Sequence, residues 1–359
     1  MPLQKLIFKP GINKEVTRYA AENGWYDCDK VRFRFSLPEK IGGWARISGN
    51  TFQGVCRSLW AWITLTGAKL VGIGTHLKFY IELGGIYYDI TPIRATTTNA
   101  ATFAATDGST TITTTDNGHG AVIGDFVTFS SAASLGGVIT AVILNAEHQI
   151  VSVPTANTYT FTASIAANAS DSGNGGAATD AAYQISVGPE TVVPLIGFGA
   201  GKFGIGTFNV GSTSSVSLRQ WSQSNFGEDL VFGPRGGAPY YWDSTNSVTT
   251  RGVALSSLGG ASNTPVVQNL VFVSDINRFV FCFGTNALGA TTQDPLLFRW
   301  SDQENAANWT PSATNQAGSL RLSRGTKIVA VEQSNQAVNI WTDSSLYNLQ
   351  FLGGQAVFG

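Results

Sequence analysis

"KFYIELGGIYYDIT", residues 78–91, decides the fold class. Aromatic and β-branched residues run up to Gly84-Gly85 and away from it, which predicts two strands joined by a tight turn. The pattern recurs outward in "RFVFCFG" (278–284) and "AVNIWTDSSLYNLQFLG" (337–353). In "VRFRF" (31–35) alternation sets Val31, Phe33 and Phe35 on one face and Arg32 and Arg34 on the other. One stretch departs from this habit. "NKEVTRYAAEN" (13–23) predicts a short helix, with Asn13 as cap and Glu15 in its first turn. The chain is expected to be all-β.

Four segments repeat loosely, at 56–90, 218–244, 277–309 and 326–353, each an apolar strand, a polar turn and an aromatic-bearing hairpin. Units of this size with several short strands predict a β-propeller-like platform, because one blade cannot bury both of its faces. Trp60, Trp62, Trp221, Trp242, Trp300, Trp309 and Trp341 are then expected as packing between blades. Between Arg94 and Lys202 there is no Lys or Arg, while Asp107, Asp116, Asp125, Glu147, Asp171, Asp180 and Glu190 lie inside. This marks a small, acidic, β-sandwich-like domain inserted at 95–189, its acids read first as a solvated surface. The expected organisation is an N-terminal arm and first blade at 1–94, the insertion, and further blades at 190–359. The closing part of the ring is expected from elsewhere, or from a longer chain.

Charged residues make up 13% of the 359 and the net charge is -1. That is about half the usual charged share. Such a surface suits a protein covered by neighbours, and it lacks the basic excess that would grip a polyanion. The cysteines, Cys28, Cys56 and Cys282, are scattered and odd in number, which argues against a disulfide framework and a zinc site. No signal peptide and no apolar run of ~18 residues is evident, so a soluble protein assembled in a reducing cytoplasm is expected.

No catalytic, metal or cofactor site is expected. "GAGKFG" (199–204) fits G-x-G-x-x-G but is not followed by a helical pattern, so it predicts close packing and no phosphate cradle. His76, His119 and His148 stand apart, without metal-ligand spacing. The carboxylate pairs Asp27/Asp29, Glu228/Asp229 and Asp302/Glu304 suit polar turns better than glycoside hydrolysis. "SDQENAANWT" (301–310) is read the same way. Arg32, Arg34 and Lys40 are too few for tight phosphate binding and are expected to face a sister subunit.

The start of the chain carries a resemblance. "KPGINKE", "GWYDCDKVRFR", "PEKIGGW" and the "GIGT…KFY…GGIYYDIT" hairpin, together spanning residues 1 to about 92, resemble the tail nozzle proteins of short-tailed double-stranded DNA bacteriophages. These are also called packaged-DNA stabilisation proteins. The resemblance implies a non-enzymatic virion subunit that forms a six-fold ring with copies of itself below the portal and adaptor. That ring extends the DNA channel, retains packaged DNA until ejection and meets tail fibre or needle proteins. Arg18, Trp25, Arg32, Arg34, Lys40 and Trp44 are the candidates for the subunit interface or channel. Family members are longer than this chain. The alternative is a receptor- or glycan-binding tail component, with a propeller glycosidase acting through Glu228 or Glu304 less favoured.

Overall fold

Gly84 (φ 62°) and Gly85 (φ 87°) adopt the left-handed backbone that a two-residue hairpin turn requires. The expected hairpin forms around them, with Leu83 opposite Ile86. The computed structural model describes residues 9–20, 22–43, 45–46, 48–176, 178–188, 219–335, 337–353 and 357–359. The chain divides into two compact units, Met1–Gly49 and Asn50–Gly359. It is all-β: among the described residues the only helical elements are α1 (Ala141–Leu144) and one 3-10 turn, Leu255–Ser257.

In the first unit, β1 (Val31–Arg34) pairs antiparallel with β2 (Leu37–Lys40). The helix expected at 13–23 does not form among the described residues. The Asn13 side chain accepts the Glu15 N–H at 3.0 Å, as a cap would, but the chain then makes a single turn, Ala20 N–H to Thr17 O at 3.0 Å. Val16 and Tyr19 are exposed, so no apolar face is buried. A helix this short is marginal without one.

In the second unit, β3 (Cys56–Ile63), β4 (Lys69–Thr75), β5 (Phe79–Leu83) and β6 (Ile86–Asp89) form a four-stranded antiparallel meander. The next eight strands form a sheet of their own. They are β7 (Ile93–Thr97), β8 (Thr102–Ala105), β9 (Thr111–Thr115), β10 (Phe126–Ser130), β11 (Glu147–Thr155), β12 (Thr158–Thr162), β13 (Asp171–Asn174) and β14 (Asp180–Gln184). Three more meanders follow: β15 (Trp221–Phe226), β16 (Asp229–Pro234), β17 (Tyr240–Trp242) and β18 (Val253–Ala254); then β19 (Leu270–Val273), β20 (Val280–Phe283), β21 (Leu297–Trp300) and β22 (Gly318–Arg321); then β23 (Ile328–Gln333), β24 (Ala337–Thr342) and β25 (Leu346–Gln350).

The meanders stack through their first strands. β15 lies beside both β3 and β19, and β19 lies beside β23. The cores sit between sheets, as blades require. Trp62, Phe79 and Ile81 of the first meander pack with Trp221, Phe232 and Trp242 of the second. Phe226 and Val231 of the second pack with Val271, Val280, Cys282 and Trp309. Phe281, Phe298 and Trp300 of the third pack with Val338, Ile340 and Leu349 of the fourth. Each buried large apolar side chain contributes roughly 1.5–3 kcal/mol, and these contributions require the neighbouring sheet. Of the seven tryptophans expected between blades, Trp60 and Trp341 are partly exposed and the other five are buried.

The eight-stranded sheet curls on itself. β8 and β10 are four places apart in the order β8-β9-β12-β11-β10, about 19 Å on a flat sheet. Yet the Phe103 and Phe129 rings lie 4.8 Å apart, edge to face. Two register shifts in β11, flanking Ser152, supply the bend. Six of the strands, β8 to β12 and β14, then feed one core around Phe103, Phe129, Tyr159 and Phe161. The entering strand β7 and the leaving strand β14 are antiparallel neighbours.

Candidate assembly interface

The β1–β2 hairpin carries three of the six residues singled out from the sequence, Arg32, Arg34 and Lys40. Its turn is Phe35-Ser36, with φ of 50° and 66°. This corrects the reading of "VRFRF" as five strand residues. Val31 and Phe33 are half-buried on one face, but Phe35 sits in the turn with its ring 87% exposed. Pro38 lies in β2 opposite Phe33, tolerable in a two-stranded ribbon.

Arg32 faces Glu39 across the ladder and donates to its carboxylate at 3.1 Å. An exposed pair of this kind contributes no more than about 1 kcal/mol. Arg34 lies over the Phe35 ring, 5.3 Å from its centroid. Arg18 lies 5.9 Å from the Tyr26 ring, and Trp25 packs at 6.4 Å from Phe33. Arg32 and Arg34 share a face, whereas Lys40, opposite Val31, lies on the other. The three cations therefore do not form one patch. Trp44 lies outside the described residues, as does "GAGKFG".

The carboxylate pairs are all engaged in turns or pairings. Asp27 pairs with Lys14 at 3.1 Å, and Asp29 with Lys30 at 3.9 Å. Glu228 accepts the Leu65 N–H; Asp229 accepts Tyr241 Oη and the Ser244 N–H and hydroxyl. Asp302 accepts the backbone of Gln303 and Gln316, each at 2.9 Å, and Glu304 pairs with Arg278 at 3.9 Å. His76, His119 and His148 each bond a backbone group close by, and burial lowers the His148 pKa. Among the described residues no group of three or more His, Cys, Asp or Glu side chains is placed to hold a metal ion. Among the described residues no helix is long and apolar enough to cross a membrane.

Sequence reasoning missed a partly buried four-charge cluster that ties the curled sheet to the first and second meanders. Lys78, 3% exposed, donates to Asp89 at 2.7 Å and to Glu147, with its ammonium 4.6 Å from the Phe126 ring centroid. Arg251 closes the cluster at 3.3 Å from Asp89 and 3.5 Å from Glu147, and donates to Thr91 O at 2.7 Å. Gln184 donates to Glu147 as well. Burial pushes the Asp89 carboxyl up, but Arg251 and Lys78 together outweigh it and hold its pKa below the usual carboxylate range. Two cations and two carboxylates, drawn from the first meander, the curled sheet and the second meander, thus balance.

The acids of the insertion are accordingly not all solvated. Asp116 and Asp125 are buried and hydrogen-bonded, Asp116 to Tyr183 Oη at 2.6 Å and Asp125 to the Val122 N–H at 3.0 Å. The available signal was the absence of Lys and Arg, which obliges Glu147 to find its cations outside the insertion.

No known protein family matches the chain, and no curated protein matches it. Among solved structures, the Phage phi92 endosialidase aligns with a TM-score of 0.23 at 13% identity. The alignment covers 84% of this chain and 41% of that one, so the chain spans about two fifths of that protein's length.

Proposed function

We propose that the chain is a non-enzymatic structural subunit of a bacteriophage tail. In this reading it builds a ring of copies of itself, the tail nozzle, which extends the DNA channel below the portal and adaptor. The ring holds packaged DNA until ejection, and tail fibre or needle proteins attach to it in the virion. The arm and first blade at 1–94, the inserted domain at 95–189 and the blades at 190–359 are its working parts.

The observation that carries the reading is the unmated end of the sheet stack. Trp60 and Trp62 of β3 reach the second meander, bonding Asn225 Oδ1 at 3.2 Å and Glu228 O at 2.9 Å. Alternation turns Leu59 and Ile63 the other way, and they are 65% and 63% exposed. At the other end of the stack Trp341 and Leu346, paired across β24 and β25, are exposed as well, and two dissimilar apolar ends suit head-to-tail contacts, which close into rings. The resemblance of residues 1 to about 92 and the low charge support the same reading. Cryo-electron microscopy of the chain incubated with a portal–adaptor complex tests it. A ring coaxial with the portal is expected; a monomer that never joins the complex would overturn it.

A further inference from the structure

Arg299 lies in β21, opposite Cys282 of β20 and Ser319 of β22, in the middle of a sheet. It is 2% exposed, yet no carboxylate pairs with it among the described residues: the third meander's ion pairs are Arg278–Glu304 and Arg321–Asp294. Its neighbour Cys282 does not supply a charge, because burial pushes that thiol's pKa far up against the smaller, opposing pull of Arg299. Burying a cation without a counter-charge is costly. Two backbone carbonyls offset part of that cost. Nη2 donates to Asn263 O and, at 3.2 Å, to Trp309 O, and the Trp309 ring centroid lies 6.0 Å away.

A guanidinium has five N–H groups. The bonds to Asn263 and Trp309 both leave from Nη2, so Nε and Nη1 have no protein acceptor among the described residues, and neither is sealed from solvent. Arg299 lines a cavity of about 300 Å³ together with Ser256, Asn263, Thr264, Asn286 and Thr291. Thr264 is likewise more than nine-tenths buried, and its hydroxyl has no protein partner among the described residues. Asn286, by contrast, is fully engaged: it accepts the Val266 N–H at 2.9 Å and donates to Ala290 O at 2.8 Å. The wall is thus braced, and Arg299 and Thr264 both line the hollow beside it.

We propose that this cavity is a binding site for a small oxyanion, a phosphate or a carboxylate group. Arg299 would supply the charge and an N–H donor, and Thr264 a hydroxyl donor. A charge-assisted N–H···O bond suits either group, and the bound anion would neutralise the buried charge. The inference concerns the second and third meanders alone and is independent of ring formation.

Thermal unfolding of the full chain with rising phosphate, acetate or chloride at matched ionic strength tests it. A ligand that binds only the folded state raises the midpoint saturably. The expected result is such a rise with phosphate, acetate or both, and none with chloride; which oxyanion acts identifies the source. Arg299→Met is expected to abolish the response. Thr264→Val, which keeps the side-chain shape, is expected to raise the apparent Kd about tenfold through loss of one hydrogen bond to a charged group. Thr264→Val remains the readout if Arg299→Met does not fold. No saturable rise with either oxyanion would overturn the proposal, as would a response unchanged in Thr264→Val.

Discussion

Lys78 is placed so that its loss cannot be absorbed locally. Without its ammonium, Asp89 and Glu147 share the single cation Arg251 in a site closed by Phe126 and Gln184. Breaking a buried pair from one side costs about 3 kcal/mol, so Lys78→Met is expected to lower unfolding stability by that order in urea titration. Lys78→Met combined with Glu147→Gln should cost less than the sum of the two, since both act on one cluster. The sign of the pH effect follows from Asp89. Its carboxyl is depressed in the fold, so the unfolded chain binds the proton more readily. The stabilisation is therefore complete above the unfolded value of about 3.9 and is lost as pH falls through the lower folded value. In urea titrations across pH, the stability gap between the native chain and Asp89→Asn should hold near neutrality and shrink below about pH 4. Nothing local announced these four residues: position 78 precedes an apolar strand, position 89 ends one, position 147 begins another, and position 251 follows a polar turn. Their pairing exists only after three sheets have come together.

The meanders were largely legible, because strand alternation and glycine turns act over a few residues. The Gly84-Gly85 hairpin and the β24–β25 hairpin stand where the pattern put them. Phe35-Ser36 was not legible as a turn, because neither residue favours positive φ and alternation runs on through Phe35. Asn13 to Asn23 carried helix signals without an apolar face to dock, and the signals alone did not suffice. Packing between elements depends on a position the pattern leaves unexplained, Gly74 of β4. A Cβ there would lie 2.5 Å from the Trp221 ring and from Ser58 Oγ. Trp221 is itself held by its Nε1 bond to Thr75 O at 2.7 Å, so it cannot yield easily. Gly74→Ala is expected to destabilise the chain by about 1–3 kcal/mol through overpacking, measured by chemical denaturation. A neutral result would mean that the first two meanders can separate slightly without cost.

At the scale of the molecule, the order of the sheets follows the order of the chain, and this is why the repeat could be seen before the fold. The geometry of association was less visible, since exposure depends on which face of β3 the second meander covers. Leu59→Lys with Ile63→Lys places charges at two exposed β3 positions turned away from the second meander. The double variant is expected to keep the native unfolding midpoint within about 0.5 kcal/mol, as surface changes do, while sedimentation velocity reports loss of self-association. Self-association unchanged by the two lysines would remove the end of the stack from the proposed ring contact.

The side-by-side departure of β7 and β14 has an evolutionary corollary. In the proposed organisation, adjacent attachment points would let one inserted domain be exchanged for another, or for a tight link. The passenger is nevertheless not neutral cargo. Any replacement inherits Lys78 and Arg251 facing Asp89 alone, so a tolerated graft must arrive with its own acid where Glu147 now stands.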